Sequence, residues 1–218
     1  MKKKKRDPGA PHLLYRILYP ILSGPIRFLC HVKCEGRENI PKEGGCLVCA
    51  NHISNWDPLI LGAVFPPKRQ LHTMAKAELF SIPVLSQIVQ GIGGIKVERG
   101  KSDVAAIRQC ATVISEGQMM VIFPQGTRCP RKNPRDTTVK AGAALLACRT
   151  GCPVLPVSIS TKHMKMRLFR RVDIRIGQPI LPETIASWKE AEESYSDIAG
   201  HIFDEICRLG DFTEGKEI

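Results

Sequence analysis

Hydrophobic residues follow two alternating patterns along most of the chain. Short, mainly apolar runs at 45–50, 119–123 and 154–159 predict buried strands of the kind found in parallel sheets. Shorter runs at 71–74 and 94–97 predict two further strands. Between the runs, apolar residues recur at steps of three and four, which indicates amphipathic helices. Because strands and helices alternate, we predict an α/β fold with a mostly parallel sheet flanked by helices.

The remaining elements are predicted from their end signals or from their periodicity. A helix over 57–64 has a proline in its first turn, and Ser102 is expected to cap another helix. Helices are also predicted over 140–150 and over 187–209, where the apolar residues form one stripe. Apolar and charged residues alternate at 172–176, which predicts an edge strand.

The N-terminal segment differs in composition from the rest of the chain. Residues 2–6 are all basic, and 13–30 is mostly apolar but interrupted by arginines, prolines and a glycine. No small-x-small cleavage pattern follows Cys30, and a membrane span needs about 20 apolar residues. We therefore predict an N-terminal membrane-interface helical segment of one or two helices. A helix pair packed on the folded domain is the alternative.

Charge and cysteine content narrow the possible partners. The formal net charge of +11 favours an anionic partner, such as phosphate, anionic lipid or nucleic acid. Only 6% of residues are aromatic, which is few for stacking on single-stranded nucleic acid, so we expect no nucleic acid.

Cys46 and Cys49, two of nine cysteines, fall on opposite faces of a predicted strand, which is a poor arrangement for a metal. We predict buried thiols in a reducing compartment.

His52 and Asp57 are the first candidates for chemistry. A histidine can remove a proton near neutral pH, and a carboxylate can fix its tautomer. Five steps of a regular helix turn by roughly 500°, so the two side chains can touch only if a turn interrupts the path between them. The helix predicted from residue 57 allows such a turn before it. The spacing alone also fits a chance pair without function.

A second candidate element, 123–128, directly follows a predicted buried strand. Ligands of parallel α/β sheets bind just beyond the carboxyl ends of strands. Gly126 allows close backbone approach, and its N–H could face a developing oxyanion. Arg128 offers a bidentate fork for a phosphate, although an ordinary turn with a solvated arginine is an equal alternative. Of Lys96 and Arg99, which face opposite ways on a strand, only one is expected to reach this site.

Four ordered blocks together resemble the glycerolipid acyltransferase superfamily, specifically the bacterial type of 1-acyl-sn-glycerol-3-phosphate acyltransferase. The resemblance covers about residues 45–160. Gln125 stands where that family usually has Glu, which puts any role that needs a negative charge there in question. The matching blocks are His52 to Asp57, Gly93 to Arg99, Phe123 to Arg128, and Val154 to Val157.

The resemblance implies direct acyl transfer without an acyl-enzyme. His52 would deprotonate the sn-2 hydroxyl of lysophosphatidate, which attacks the thioester of acyl-CoA or acyl-carrier protein and yields phosphatidate. Asp57 would orient His52. The Gly126 region would stabilise the oxyanion, and Arg128 with Lys96 or Arg99 would hold the acceptor phosphate. The expected substrate-binding residues are Arg128, Gly126, Thr127, Gln125, Arg99 and Lys96, and no metal or cofactor is expected.

The resemblance also implies an organisation and a location. Residues 1–32 would be a basic and apolar membrane-associating segment, and 33–218 the acyltransferase domain. The protein would lie on the cytoplasmic face of the cell membrane, peripheral or monotopic, on an anionic surface. Two alternatives remain open: an acyltransferase for another acceptor (glycerol 3-phosphate or another lysolipid), and a non-catalytic membrane-binding homologue.

Overall fold

The computed structural model describes residues 13–97, 104–191 and 193–213. Within them, seven strands form one sheet in the order β1-β7-β6-β2-β5-β3-β4. Neighbouring strands are parallel, except that β7 is antiparallel to β6, so the predicted mostly parallel sheet is confirmed. The strands are β1 (Val32–Glu35), β2 (Cys46–Ala50), β3 (Leu71–Lys76), β4 (Gly94–Val97), β5 (Met119–Ile122), β6 (Val154–Thr161) and β7 (Val172–Ile176).

Helices cover both faces of this sheet. They are α1 (Leu13–Leu29), α2 (Asp57–Val64), α3 (Pro83–Gly91), α4 (Val104–Ser115), α5 (Gly142–Thr150), α6 (Pro182–Glu190) and α7 (Tyr195–Leu209). Helices α4 to α7 pack together, and α1 to α3 form a second group. All five residues of β2 are completely buried between these layers, which explains why its sequence is uniformly apolar.

Strand β7 corrects the prediction of an edge strand at 172–176. It lies inside the sheet, because the unpredicted strand β1 pairs with it in parallel along its outer side. The alternating charges are accommodated by neighbours: Arg175 forms ion pairs with Glu35 of β1 and with Asp211 after α7. Alternation here reflects one packed face and one face of paired charges, which a single sequence segment does not distinguish from an edge.

The C-terminal region contains two helices where one was predicted over 187–209. Helix α7 begins anew at Ser194, whose side chain accepts from the Asp197 N–H while the Asp197 carboxylate accepts from the Ser194 N–H. The predicted apolar stripe is confirmed, since Ile198, Ile202 and Ile206 are completely buried. The predicted cap at Ser102 lies outside the described residues.

The N-terminal segment forms one helix, α1, that packs on α2 and α3. Tyr15 is buried, and the Tyr19 hydroxyl donates to the carbonyl oxygen of Phe65 at 2.8 Å. The opposite side of α1 carries an exposed apolar stripe. No helix among the described residues is both long and apolar enough to cross a membrane. The segment is thus an integral part of the fold that also presents an apolar surface.

Candidate active site

The site begins where β2 ends. The completely buried Asn51 side chain accepts from the Ile159 N–H at 2.7 Å and donates to the Ile159 carbonyl at 2.8 Å. These two bonds replace the backbone ladder between β2 and β6, so the chain can leave the sheet without unsatisfied polar groups. Asn51 therefore fixes the start of the loop that carries His52, a role the sequence did not reveal.

The His52 and Asp57 side chains meet as predicted. His52 Nδ1 lies 2.7 Å from Asp57 Oδ2, and the same oxygen accepts the N–H groups of Ile53 at 2.7 Å and Ser54 at 2.8 Å. Asp57 is completely buried at the first residue of α2, where the helix dipole favours a negative charge. With Nδ1 held as the donor to this carboxylate, Nε2 is left as the basic nitrogen.

The loop after β5 encloses the imidazole. The Phe123 ring stacks on His52 with a centroid separation of 3.9 Å and an interplanar angle of 15°. The Cys129 N–H donates to the His52 carbonyl at 2.7 Å. Only 13% of the His52 side chain is exposed. The ring orientation is thus fixed by a carboxylate and an aromatic face, and most of the ring is shielded from water.

Gln125 lies behind the base and not at the surface expected to bind substrate. Its side chain is 3% exposed, and its Oε1 accepts from the His52 N–H at 2.7 Å. Its Nε2 donates to Thr137 Oγ1 at 2.8 Å, and the Thr137 hydroxyl donates to the Pro134 carbonyl at 2.6 Å. Both ends of the amide are engaged by protein groups, so Gln125 positions the His52 loop, and its expected contact with a substrate stays a prediction.

The turn at Gly126 differs from the expectation in one respect. The Gly126 N–H donates to the Phe123 carbonyl at 2.9 Å, so it is not available to an oxyanion. Among the described residues, the exposed Thr127 and Arg128 N–H groups donate to no protein acceptor. Gly126 has φ of +67°, and a Cβ there would lie 2.8 Å from Cδ of Lys140. Lys140 therefore crosses the turn and adds a cation that sequence reasoning missed.

The three expected phosphate ligands are placed differently. Arg128 is exposed beside the turn and pairs with no carboxylate among the described residues. Lys96 is exposed on the edge strand β4, two strand positions from β5, which is roughly 10 Å at usual strand spacing. Arg128 and Lys140 therefore both lie at the Gly126 turn, whereas Lys96 extends from the edge strand β4. Arg99 lies outside the described residues.

An apolar cavity of about 300 Å³ opens next to this site. Asn55 and Pro58, in the segment that follows His52, form part of its wall, and most of the remaining lining comes from α1, α2, α3 and β3. Its walls are mostly aliphatic and aromatic, and they include Leu18, Leu22 and Val89. The wall comes from segments that are far apart in the chain, so no local sequence pattern predicts it.

Besides His52, the described part of the site includes the free thiol of Cys129, whose pKa is raised by burial. No three His, Cys, Asp or Glu side chains of the described residues are placed to bind a metal ion. Cys46 and Cys49 are buried in β2, and burial raises the pKa of the Cys46 thiol to about 12, so it stays protonated. The site can hence supply a base, cations and backbone donors beside an apolar cavity.

Comparison with known proteins places this arrangement in a family. The sequence profile described as Acyltransferase matches residues 31–160, which include the His52 loop, the Gly126 turn and most of the sheet. The chain belongs to the acyltransferase family.

Several named relatives are similar to this chain over most of its length. The chain is 30% identical to a 1-acyl-sn-glycerol-3-phosphate acyltransferase of Bacillus subtilis, over 68% of this chain and 73% of the relative. It is 26% identical to the enzyme of the same name from Streptococcus pneumoniae, over 91% of this chain and 75% of the relative. The crystal structure of the 1-acyl-sn-glycerophosphate acyltransferase of Thermotoga maritima matches with a TM-score of 0.66 and 28% identity, covering 88% and 77% of the two chains.

Proposed function

We propose that this protein transfers a fatty acyl group from a thioester to the sn-2 hydroxyl of lysophosphatidate, giving phosphatidate. The observation that carries the proposal is the 2.7 Å contact between His52 Nδ1 and the buried Asp57, which leaves Nε2 as a base. The names of the relatives from Bacillus subtilis and Streptococcus pneumoniae support lysophosphatidate as the acceptor.

The reaction uses His52 twice. Its Nε2 takes the proton of the acceptor hydroxyl while that oxygen attacks the thioester carbon. The tetrahedral intermediate then collapses by breaking the C–S bond, and the imidazolium returns the proton to the leaving sulfur. Asp57 stabilises the imidazolium between these steps, because its charge is buried and already held by two backbone N–H groups. No enzyme nucleophile takes part.

The turn after β5 would bind the two anionic groups of the reaction, the oxyanion of the intermediate and the acceptor phosphate. The unengaged N–H groups of Thr127 and Arg128 would stabilise the oxyanion of the intermediate, in place of the Gly126 N–H. Arg128 and Lys140 would hold the acceptor phosphate, with Lys96 or Arg99 as a further cation. The support for this role is that Arg128 pairs with no carboxylate among the described residues while it stands beside the base.

The apolar cavity would take the acyl chain of the donor. Asn55 and Pro58, which are close to His52 in the sequence, form part of its wall, so a chain lying in it would place its thioester near His52. Its aliphatic lining matches an alkyl chain and offers little to a charged group. Either acyl-CoA or acyl-carrier protein would present the same thioester, and this cavity does not distinguish between them.

The outer stripe of α1 would hold the enzyme on an anionic membrane, where its acceptor resides. The exposed apolar residues Leu13, Ile17 and Ile21 lie along one side of the helix, with Arg16 and Arg27 beside them. An apolar face bordered by cations is the pattern of a peripheral helix in a membrane interface. The protein would thus be peripheral or monotopic, on the cytoplasmic face.

A competition assay tests the acceptor and the donor together. The full-length protein in detergent receives equal amounts of lysophosphatidate and glycerol 3-phosphate, with acyl-CoA in one series and acyl-carrier protein in the other. We expect phosphatidate as the main product, and none from a His52→Ala control. Acylation of glycerol 3-phosphate alone would assign another acceptor, and no transfer with either donor would support a non-catalytic homologue.

A further inference from the structure

The loop that joins β6 to β7, residues 162–171, has an apolar tip with cations on both sides. Leu168 is 53% exposed and Phe169 is 62% exposed. Arg167 precedes them and Arg170 follows them. Two large apolar side chains side by side on an exposed loop are unfavourable in water, which suggests that they have an apolar partner.

This loop has a defined conformation. Phe169 has φ of +59°, which is uncommon for an aromatic residue. Its N–H donates to the Leu29 carbonyl at the end of α1, at 2.6 Å. The Arg170 guanidinium donates to the carbonyls of Lys162 and Lys165, at 3.1 and 3.2 Å. These hydrogen bonds hold the apolar tip outward, so its exposure is built into the fold.

The apolar tip continues the outer stripe of α1. That stripe ends at Phe28, which is 70% exposed. The ring of His31 lies 6.3 Å from the ring of Phe28 and 6.5 Å from the ring of Phe169, measured between centroids. The exposed apolar residues of helix and loop therefore lie on either side of the His31 ring.

The cations beside the tip repel one another. The positive charges of Arg131, Arg167 and Arg170 lower the pKa of Lys165. Within the part of the chain that the structure describes, none of these four side chains pairs with a carboxylate. A concentration of like charge without internal compensation is stabilised by an external anion.

We propose that residues 162–171 form a second membrane-binding element, which inserts Leu168 and Phe169 into an anionic bilayer beside α1. Lys165 and the neighbouring arginines would bind headgroup phosphates while the apolar tip reaches the boundary of the acyl chains. An acidic carrier protein would satisfy the cations but would offer no apolar layer for the tip. The bilayer is thus the partner that accounts for both features.

Residues 162–171 are connected to the proposed active site by hydrogen bonds. The Arg131 N–H donates to the Met164 carbonyl at 3.0 Å, and two residues earlier the Cys129 N–H donates to the His52 carbonyl. The loop is therefore two hydrogen-bonded steps from the proposed base. Binding at this point would orient the site toward the bilayer that holds the acceptor. The proposal deepens the membrane association proposed above, but vesicle binding does not itself require acyl transfer.

Vesicle co-sedimentation of the full-length protein tests the apolar tip. Leu168→Ser combined with Phe169→Ser should weaken binding to vesicles of phosphatidylcholine and phosphatidylglycerol by roughly tenfold or more. Leu181→Ser is the matched control, because Leu181 is 55% exposed and follows Ile180, which pairs with the first residue of β6 at the opposite end of that strand. Acyl transfer in detergent micelles should remain normal in the double variant, which shows that it is folded.

A charge variant tests the headgroup contact. Lys165→Gln with Arg167→Gln should lose about fivefold in binding per charge on anionic vesicles and little on neutral ones. Arg208→Gln, an exposed cation on α7, is the control. Unchanged vesicle binding in both the tip and the charge variants overturns the proposal. A raised KM for acyl-carrier protein with intact vesicle binding does so too, and assigns the loop to a protein partner. His52→Ala should still bind vesicles, so a failure of the proposed catalysis stays distinguishable.

Discussion

The loop from His52 to Asp57 and the turn from Gly126 to Arg128 stand side by side but differ in how their polar groups are satisfied. In the loop, the imidazole Nδ1 and the backbone N–H groups of His52, Ile53 and Ser54 all have protein partners. In the turn, the Thr127 and Arg128 N–H groups donate to no acceptor among the described residues. The protein itself satisfies the groups around the proposed base, whereas it leaves the proposed anion-binding N–H groups without a protein acceptor. Such preorganisation lowers the reorganisation required during reaction.

The largest effect on activity is expected from substitutions in the loop from His52 to Asp57. His52→Ala should lower kcat by about 10²–10⁴ through loss of the general base. Asp57→Asn should be similarly severe, because it removes the buried negative charge that orients His52 and stabilises the imidazolium. Steady-state kinetics and thermal unfolding of the purified variants measure both effects. His201→Ala, on the exposed side of α7, is the matched control and should be normal. Near-normal turnover in a folded His52→Ala protein would refute the mechanism.

Substitutions at the turn from Gly126 to Arg128 should have a smaller effect, and on KM instead of kcat. Arg128→Ala should raise KM for lysophosphatidate by about 10- to 100-fold, from roughly 1.5–3 kcal/mol for a hydrogen bond to a charged group. Arg128→Lys should recover part of this loss, since it keeps the charge but not the bidentate fork. Lys140→Ala should act in the same direction but less strongly. An effect confined to KM of the acyl donor would instead assign these cations to the donor phosphates.

Substitutions in the two regions should also differ in how much they lower the free energy of unfolding. Asn51→Ala removes both hydrogen bonds to Ile159 and leaves buried groups unpaired, so it should lower the free energy of unfolding by about 1–3 kcal/mol. Thr127→Ala, in the exposed turn, should change it by less than about 0.5 kcal/mol. Urea denaturation measures both values. Equal losses would mean that the turn is part of the structural framework and that the contrast between the regions is wrong.

The smallest expected effect concerns Gln125, which connects the two regions. Gln125→Glu keeps the acceptor for the His52 N–H but loses the donor to Thr137, whose own proton already goes to Pro134. One lost hydrogen bond corresponds to less than about tenfold in activity. Gln125→Ala should do more harm, because the His52 N–H then has no partner. If the unmodified protein is inactive and the Gln125→Glu variant is active, a negative charge is required at this position.

The sequence predicted the parts of the site that depend on local order. The broken path from His52 to Asp57 follows from five residues and the start of α2, and the buried strands follow from their apolar runs. It did not predict Phe123 stacked on His52 or Lys140 across Gly126, because these contacts depend on how separate loops meet at one edge of the sheet. The hydrogen bond from the Gly126 N–H to the Phe123 carbonyl was not predicted for a related reason, since the glycine alone does not determine the turn geometry.

Helix α1 makes removal of the N-terminus an unsuitable way to obtain a smaller protein. Tyr15, Leu18 and Leu22 form one wall of the apolar cavity, and Tyr19 holds the chain just after α2 through Phe65. A shortened protein that starts after Leu29 would therefore open the cavity to water and release the helix that begins with Asp57. Substitutions along the inner side of α1 would also change how deep the cavity is. In the proposed reaction, α1 would therefore also set the length of the acyl chain that the cavity accommodates.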